Sequence, residues 1–481
     1  MLDFRPILFI TGVLMLPLAV AMCLPAIADA SADNPDWQVF LTASGFTLFV
    51  GGTLALTSRG NVRAITPRQG FVLTTFLWIV IPGFAALPFA FSDLDLSYTD
   101  AFFESMSGLT TTGSTVIRSL DVAPPGILIW RALLQWLGGI GVIAMAIAIL
   151  PLLRIGGMQL FRMESSDRSE KVLPRTTQLV AYIGFIYLGT SVVCALAYWA
   201  AGMSGFDAIA HAMTTIATGG FSTYDASLAH FNSPAIEYIG VVFMLIGSMP
   251  FVLYLRALRG NAKPLFRDDQ VRLFLLIVII AILSIAYYRY ASGVEIGAAL
   301  RESAFNVVSI ITGTGYATAD YSAWGPFALI GFFFLMFVGG CAGSTTCGIK
   351  VFRFQVLFAT AVMQIRRLLE PHGVYLAYYN RKPIPEEVSA SVMAFFFLYA
   401  LSYVAIAVGL GLSGVDFLTA ASGAATAISN VGPGLGPTIG PAGTFATLPE
   451  QAKWLLSAGM LLGRLELFTV IVLLIPSFWR D

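Results

Sequence analysis

Four apolar stretches of the chain are each interrupted by a short polar run that ends in glycine. The runs are residues 110–113, 216–219, 312–315 and 429–432, and a long apolar segment follows each one. Backbone amides cannot stay unpaired against lipid, so irregular chain at membrane depth must line a cavity or lie inside protein. Four equivalent interruptions therefore predict four walls around one pore. Backbone carbonyls around a pore can replace the water shell of a monovalent cation.

The composition indicates an integral membrane protein. Of 481 residues, 57% are hydrophobic and 11% are charged, whereas a soluble protein carries roughly 25% charged residues. The sequence contains no basic face or recognition motif for nucleic acid. It also lacks a nucleophile–base constellation and a phosphate-binding loop. We therefore expect neither a nucleic-acid partner, nor an enzyme, nor a cofactor.

Ten spans are predicted, so both termini lie on the same side of the membrane. Of the 27 Lys and Arg residues, 21 fall at the termini or in alternate loops, and such loops stay in the cytoplasm. This pattern predicts a multi-pass protein of the bacterial inner membrane with cytoplasmic termini. The spans lie near residues 6–28, 38–58, 71–92, 127–152, 177–201, 235–257, 271–291, 326–359, 389–412 and 452–476.

The predicted fold is an all-α membrane protein with four pseudo-fourfold repeats around one ion pore. Each repeat is a helix, a re-entrant pore helix, a glycine loop and a second helix, and an N-terminal two-helix hairpin precedes them. The first apolar segment also resembles a signal peptide. We favour the hairpin because a second apolar segment follows at once. The predicted units are 1–65 for the hairpin and 66–165, 166–262, 263–372 and 373–481 for the repeats.

Each polar run is preceded by a segment too short to cross a bilayer. The segment 100–112 would be about 20 Å long as a helix, and those at 207–218, 302–314 and 416–430 are similar. An acid in the first turn complements the positive end of a helix dipole. The opposite ends would then face the pore centre, where they favour a cation. The predicted first-turn acids are Asp100, Asp207, Glu302 and Asp416.

The glycine runs supply the candidate ion-binding residues of the filter. Carbonyls are common to all residue types, so unlike sequences can build one ring around K⁺. The alternative is ordinary Thr and Gly helix packing, which is frequent in membranes. The candidate residues are Thr111, Thr112, Gly113, Ala217, Thr218, Gly219, Gly313, Thr314, Gly315, Asn430, Val431 and Gly432.

A second glycine-rich segment predicts a gate below the filter. The eighth span is too long for one helix, and three glycines within five residues disfavour continuous helix. The predicted gate loop consists of Gly339, Gly340, Cys341, Ala342, Gly343, Ser344 and Thr345. A close helix-packing site is the alternative, and a metal site at Cys341 and Cys347 is disfavoured because no histidine is near.

Two basic residues are assigned to the same gate. Arg464 lies inside the last apolar span, where a buried charge usually faces a cavity or a partner. It would either repel potassium or pair with the gate loop, and a salt bridge to a neighbouring repeat is the alternative. Lys350 lies at the cytoplasmic edge, where snorkelling alone would explain it.

Several motifs together resemble TrkH-type potassium uptake proteins of the TrkH/KtrB/HKT superfamily. These motifs are the four glycine runs, the stretch Trp130-Arg131 to Gly139, the segment 339–345 and the segment 463–469. The resemblance covers essentially the whole chain. It implies a pseudo-fourfold pore, a gating role for the loop, and a place for Arg464 in the pore below the filter.

The resemblance also implies selectivity and partners. In this family glycine at all four filter positions accompanies potassium preference, and serine at the first accompanies sodium permeation in some plant relatives. Here Gly113, Gly219, Gly315 and Gly432 are all glycine, although Val431 departs from the Thr-Gly pattern. The implied partners are a second copy of the chain and a cytosolic nucleotide-binding ring of the TrkA type.

Two other functions remain open at this stage. A secondary transporter coupled to sodium or protons would need an acid at mid-depth, and Glu104 and Glu466 are the weak candidates. A membrane scaffold is the other alternative, although a scaffold would not need four glycine interruptions.

Overall fold

Backbone polar groups in a bilayer must bond within their own segment, and this chain meets the requirement with helices. The computed structural model describes residues 3–60, 65–148 and 176–480. Seven segments in these ranges are long and apolar enough to cross a membrane, and two bent helix pairs would raise the number to nine. The predicted basic cluster in loop 154–175 and the boundary at 165/166 lie outside the described residues.

The N-terminal hairpin packs through small residues. A methyl group built on the α-carbon of Gly12 would lie 2.6 Å from both Ala55 N and Gly51 O, so the two helices approach at van der Waals distance. This hairpin precedes the pore repeats, as the sequence predicts. Its helices are α1 (Arg5–Ala21), α2 (Cys23–Ser31) and α3 (Trp37–Thr57).

Four short helices each follow a long one, and these four pore helices recur at the predicted places. The first repeat contains α4 (Pro67–Ala85), α5 (Leu87–Phe91), α6 (Tyr98–Leu109) and α7 (Pro125–Ala148). The second contains α8 (Thr176–Ala200), α9 (Gly205–Ile216), α10 (Pro234–Gly247), α11 (Phe251–Leu258). The third contains α12 (Lys263–Arg267), α13 (Asp269–Ala291), α14 (Ile296–Ile311), α15 (Pro326–Leu335), α16 (Val351–Leu369). The fourth contains α17 (Glu386–Leu412), α18 (Phe417–Ser429), α19 (Gly436–Ile439), α20 (Glu450–Arg464), α21 (Phe468–Ile471), α22 (Pro476–Trp479).

Between the third and fourth repeats, β1 (Tyr378–Tyr379) pairs antiparallel with β2 (Lys382–Pro383). The proposed limits of the repeats stay predictions, because the element order alone does not delimit folding units.

An acidic residue lies at the start of three pore helices as expected, but the prediction for the third helix is wrong. Asp100 and Asp207 lie in the first turns of α6 and α9, and Asp416 is the N-cap of α18. In contrast, α14 begins at Ile296 and its N-cap is Glu295. Glu302 therefore lies inside that helix, where it pairs with Arg289. The helix is longer than its apolar pattern indicates because its first turn is exposed to solvent.

The second helix of three repeats is broken, and the sequence predicts this break only in the third repeat. There α15 and α16 are separated by residues 336–350, which confirms the interruption. The predicted spans at 235–257 and 452–476 are not single helices, because α10 and α11 meet at 93° and the segments on either side of 465–467 meet at 109°. Pro250 lacks an amide hydrogen, and Glu466 and Leu467 adopt left-handed backbone angles.

The packing of the N-terminal hairpin gives a first prediction. Gly12→Val should lower the melting temperature of the purified protein in detergent, because the added carbons would overlap Ala55 N and Gly51 O. Gly45→Val on α3 is the matched control, since nothing lies within 4 Å of a methyl group at Gly45. Equal melting temperatures for the two variants would contradict the packing described here.

Candidate ion-conducting site

The four loops that follow the pore helices share one backbone geometry. In each loop an amide donates to a carbonyl five residues earlier, at 2.9 to 3.0 Å, and this amide lies between two residues with left-handed backbone angles. The donors are Thr112, Gly219, Thr314 and Val431. The left-handed pairs are Thr111 and Gly113, Thr218 and Gly220, Gly313 and Gly315, and Asn430 and Gly432.

This geometry changes one sequence assignment. Gly220, which the sequence analysis does not select, is the structural equivalent of Gly113, Gly315 and Gly432, whereas Gly219 is equivalent to Thr112, Thr314 and Val431. The glycine of the second loop that is equivalent in backbone geometry therefore lies one position after Gly219. Two adjacent glycines, Gly219 and Gly220, could each be the equivalent of Gly113. Their backbone angles distinguish them, because only Gly220 has a left-handed φ.

Thr111, Thr218 and Asn430 occupy left-handed conformations that carry a cost in side-chain-bearing residues. Their φ angles are 52°, 50° and 52°. A left-handed conformation costs roughly 1–2 kcal/mol per residue. The loops therefore hold a strained geometry that the packing around them must maintain, and the equivalent Gly313 avoids that strain.

Each of the four equivalent glycines touches a carbonyl oxygen of the next loop. A methyl group on Gly113 would lie 2.2 Å from Gly219 O, and one on Gly220 would lie 1.8 Å from Thr314 O. The same construction on the remaining two glycines completes a cycle: Gly315 faces Val431 O at 2.2 Å, and Gly432 faces Thr112 O at 2.7 Å. The loops thus meet in the order one, two, three, four and back to one, around a common axis.

Three of these four carbonyl oxygens lack a protein donor. Within residues 3–60, 65–148 and 176–480, no donor bonds to the main-chain oxygen of Thr112, Thr314 or Val431. All three residues are buried. Leaving a buried polar group unsatisfied costs about 1–3 kcal/mol, and a dehydrated cation between such oxygens would remove that cost. The fourth oxygen, of Gly219, accepts from Gln135 Nε2 at 2.6 Å.

Side chains link the fourth loop to the first. Asn430 Nδ2 donates to Thr112 Oγ1 and to Met460 O, both at 2.9 Å. Ser114 Oγ donates to Gly432 O at 2.7 Å. Asn430 thus binds the neighbouring loop through its side chain, beyond the backbone role that the sequence predicts.

A buried ion pair links the first loop to the second. Arg131 Nε lies 2.8 Å from Glu104 Oε1, and Arg131 Nη1 donates to Ser222 O at 2.7 Å. The other Glu104 oxygen accepts from Val116 N at 2.9 Å. Glu104 is therefore already paired, so it is not a free acid at mid-depth.

The predicted gate loop lies directly against the filter. Thr345 Oγ1 donates to Ile216 O at 3.0 Å, at the end of the second pore helix, and it accepts from Thr218 Oγ1 at 3.2 Å. The break between α10 and α11 leaves two carbonyls for this loop: Thr345 N donates to Gly247 O at 3.1 Å and Cys341 N to Ser248 O at 3.0 Å.

Hydrogen bonds to neighbouring elements and close backbone contacts fix the rest of the gate loop. Gly339 N donates to Ile349 O at 2.9 Å, and a methyl group on Gly339 would lie 2.0 Å from Cys347 O. Ala342 N donates to Gln270 Oε1 at 3.1 Å, and Gly343 O accepts from Phe251 N at 3.0 Å. Gly340 and Ser344 belong to the same loop, and both are buried where it passes between α10 and α16.

Arg464 joins three repeats beneath the filter. Its Nη2 donates to Gly138 O at 2.7 Å, and its Nη1 donates to Cys347 Sγ at 2.6 Å and to Thr345 O at 3.3 Å. Among the described residues the partners of Arg464 are backbone oxygens and a thiol, and no carboxylate there pairs with it. Cys347 contacts this arginine, although the sequence analysis left it out of the gate.

Lys350 does not snorkel to solvent. It is 8% exposed, and its ammonium donates to Thr346 O, directly after the gate loop. The carboxylate of Glu466 pairs with Arg353 on α16. Lys350, Glu466 and Arg464 border a cavity of about 20 Å³, which is close to the volume that holds one water molecule.

The acids at two pore-helix N-termini lie outside the spans. Hydrogen bonds from the Thr419 side chain and amide lower the pKa of Asp416 below its usual range. The amides of Gly297 and Ala298 do the same to the pKa of Glu295. Both carboxylates are therefore charged at neutral pH, and they can attract cations to this face.

The described part of the chain offers no cluster of three or more His, Cys, Asp and Glu side chains for a metal ion. Cys341 and Cys347 are both free thiols. His211 is fully buried, with its Nδ1 2.8 Å from Asp207 O and its Nε2 2.9 Å from Ser222 Oγ. This histidine is a packed, hydrogen-bonded residue of the second pore helix.

Comparison with known proteins identifies the family. Residues 37–480 match the family model described as TrkH, a cation transport protein. This chain belongs to the TrkH family. The expected resemblance is thereby confirmed, and so is the expectation that the chain is not an enzyme, because the matched proteins are named for transport.

Relatives match over the full length. The Trk system potassium uptake protein TrkI of Halomonas elongata is 48% identical over 479 residues, which are 99% of this chain and 97% of that protein. TrkH of Vibrio parahaemolyticus is 39% identical over the whole of both chains. The crystal structure of the potassium transporter TrkH from Vibrio parahaemolyticus superimposes with a TM-score of 0.92 over all of both chains, at 37% identity. These matches confirm an all-α membrane fold.

The contact between Gly220 and the third loop gives a second prediction. Gly220→Ala should abolish cation flux through the purified protein in liposomes, because the methyl group would overlap Thr314 O and φ is +76°. Gly52→Ala, where a methyl group meets nothing within 4 Å, should keep the flux of the unaltered chain. Normal flux in the Gly220 variant would remove Gly220 from the ring.

Proposed function

We propose that this chain conducts potassium selectively through a filter of main-chain oxygens. The observation that supports the proposal is the closed cycle of contacts from Gly113 to Gly219, Gly220 to Thr314, Gly315 to Val431 and Gly432 to Thr112. Four loops in that cycle bring carbonyls to one axis, and the negative ends of four pore helices point the same way. Carbonyl dipoles in this arrangement replace the water around a monovalent cation.

The choice of potassium rests on the relatives. Proteins of 48% and 39% identity over the whole chain are named potassium uptake proteins. The four left-handed glycines leave the filter backbone without side chains at the points of closest approach, which the resemblance associates with potassium preference.

The gate of the proposed channel is the loop from Gly339 to Thr345, together with Arg464 and Lys350. Its contacts with Thr218 and Ile216, beside the proposed filter, support this assignment. Arg464 adds a positive charge on the same side, where it opposes the passage of a cation until the loop moves. Each neutral hydrogen bond to the loop is worth about 0.5–1.5 kcal/mol, so a small set of bonds can hold a reversible closed state.

The alternative to a channel is a transporter coupled to sodium or protons, and it would need a coupling acid. Glu104 pairs with Arg131, and Glu466 pairs with Arg353. A coupling acid has to change its ion or proton during transport, and these pairs oppose such a change. The proposal is therefore passive flux. Purified protein in liposomes, with a potassium gradient and with sodium and pH gradients removed, should still carry potassium.

The proposed setting is the bacterial inner membrane, with cytoplasmic termini and a second copy of the chain. The proposed regulator is a cytosolic nucleotide-binding ring of the TrkA type. Arg366 and Arg367 lie in the last turn of α16, and the hairpin of β1 and β2 follows them with further basic residues. These basic groups belong to the same proposed cytoplasmic face as the other basic loops. Their positive charge would complement an acidic surface of the partner.

The filter proposal gives a third prediction. Gly113→Ser should raise sodium permeation relative to potassium, because the added side chain would displace Gly219 O from its position 2.2 Å away. Reversal potentials in mixed potassium and sodium solutions measure the ratio. Reversal potentials identical to those of the unaltered chain would argue against the filter assignment.

The gate proposal gives a fourth prediction. Deletion of residues 340–345 should increase basal potassium flux, because it removes the loop that contacts Thr218 and Ile216. The rate of flux in liposomes without any regulator is the measurement, and folding is checked by size-exclusion chromatography. Unaltered flux from a folded deletion variant would speak against a gate.

A further inference from the structure

The second filter loop lacks a side chain at a position where the other three loops have one. Thr112, Thr314 and Val431 carry side chains there, and the equivalent residue of the second loop is Gly219. The Thr112 and Thr314 hydroxyls lie 2.7 Å from those of Thr110 and Thr312. The space behind the filter is therefore filled from within the loop in these two quarters.

Gln135 of α7 occupies the corresponding space in the second quarter. A methyl group on Gly219 would lie 2.4 Å from Gln135 Cδ, 2.5 Å from its Oε1 and 2.8 Å from its Nε2. The Gln135 side chain is fully buried. The amide of a different repeat thus takes the place that the residue's own side chain has in the other loops.

Two hydrogen bonds fix the direction of this amide. Gln135 Nε2 donates to Gly219 O at 2.6 Å, and Gln135 Oε1 accepts from Phe221 N at 3.0 Å. A carbonyl partner requires the NH₂ group and an amide partner requires the oxygen, so the reverse orientation would lose both bonds. The side chain therefore holds the loop on both sides of Gly220.

The oxygen that Gln135 binds is a member of the ring. Gly219 O faces the α-carbon of Gly113 in the cycle of contacts, and it is the oxygen of the four that has a described protein donor. A bound donor fixes the position of this carbonyl and competes with a cation for its electron density. Both effects change the free energy of replacing the water shell of a smaller cation relative to that of a larger one. This difference depends on the geometry and field of the carbonyls.

We infer that Gln135 is a specificity-determining positioning residue, which replaces the missing side chain of the second filter loop and sets the place of the Gly219 carbonyl. This inference rests on the proposed potassium function and adds a residue to it. Gln135 touches no ion in this account and acts through Gly219 O.

Compensating substitutions test the inference. Gln135→Ala should lower the potassium-over-sodium permeability ratio by about tenfold, the factor that corresponds to 1.4 kcal/mol. The double variant with Gly219→Thr should recover most of the ratio, because it fills the space from the loop as Thr112 and Thr314 do. Reversal potentials of purified protein in liposomes with mixed salts measure the ratio. Loss of general stability would change the amount of flux rather than the reversal potential.

Trp136→Phe is the matched control on the same helix. It removes the bond from Trp136 Nε1 to Ser191 Oγ, at 3.0 Å, which does not involve the filter. Its ratio should equal that of the unaltered chain. Gln135→Met, which keeps the length of the side chain and lacks both hydrogen-bonding groups, replaces the alanine variant if that variant does not fold.

The outcomes separate the two proposals. If the unaltered chain does not distinguish potassium from sodium, the proposed function fails regardless of Gln135. If the unaltered chain is selective and a folded Gln135 variant keeps its ratio, the inference about Gln135 is overturned and the filter stands. A double variant with no recovery over Gln135→Ala also overturns it, because Gln135 would then not act by filling that space.

Discussion

The structure depends on the close approach between a glycine α-carbon and a carbonyl oxygen of the neighbouring loop, repeated four times around one axis. A methyl group at any of the four glycines would lie within 2.7 Å of that oxygen. The left-handed backbone at the same positions also disfavours side chains. Two independent constraints therefore require glycine at Gly113, Gly220, Gly315 and Gly432, while the residues between them are free to differ.

The residues that connect one loop to the next therefore differ at each junction, the place where two neighbouring loops of the ring meet. The first and second loops are joined through Arg131, Glu104 and Gln135, and the fourth and first through Asn430. Tyr316 of the third loop bonds Thr214 of the second pore helix. A single polypeptide permits such unequal junctions, because each quarter has its own sequence. Breaking a buried ion pair by removing one partner typically costs 3–5 kcal/mol, so the first junction is the most strongly constrained.

The proposed gate contacts the end of the helix from which the second proposed filter loop begins. Thr345 bonds the last turn of the second pore helix, and Arg464 connects the gate loop to α7 of the first repeat. The break after α10 supplies two further carbonyls to the gate loop, Gly247 O and Ser248 O, which a continuous helix would use internally. Movement of the loop would therefore alter the surroundings of the second filter loop directly, without an intervening chain of contacts.

Much of this architecture follows from local features of the sequence. Apolar length and charge determine the membrane class, and recurrent polar runs with acids before them indicate the four pore helices and their loops. The interruption of the third repeat is visible in its three glycines. These features depend on residues near each other in the chain, so their physical consequences can be worked out without knowing the fold.

Other features depend on contacts between distant residues. The choice of Gly220 over Gly219 follows from backbone angles and from the third loop, and the role of Glu466 follows from Arg353, which lies 113 residues away. The breaks at 248–250 and 465–467 carry a weak local signal, because Pro250 is also the N-cap of α11 and no glycine lies within 465–467. The sequence by itself determined the membrane class and the four loops that follow the pore helices. The tertiary structure decided which atoms meet there, because close packing between quarters, rather than local preference, sets those distances.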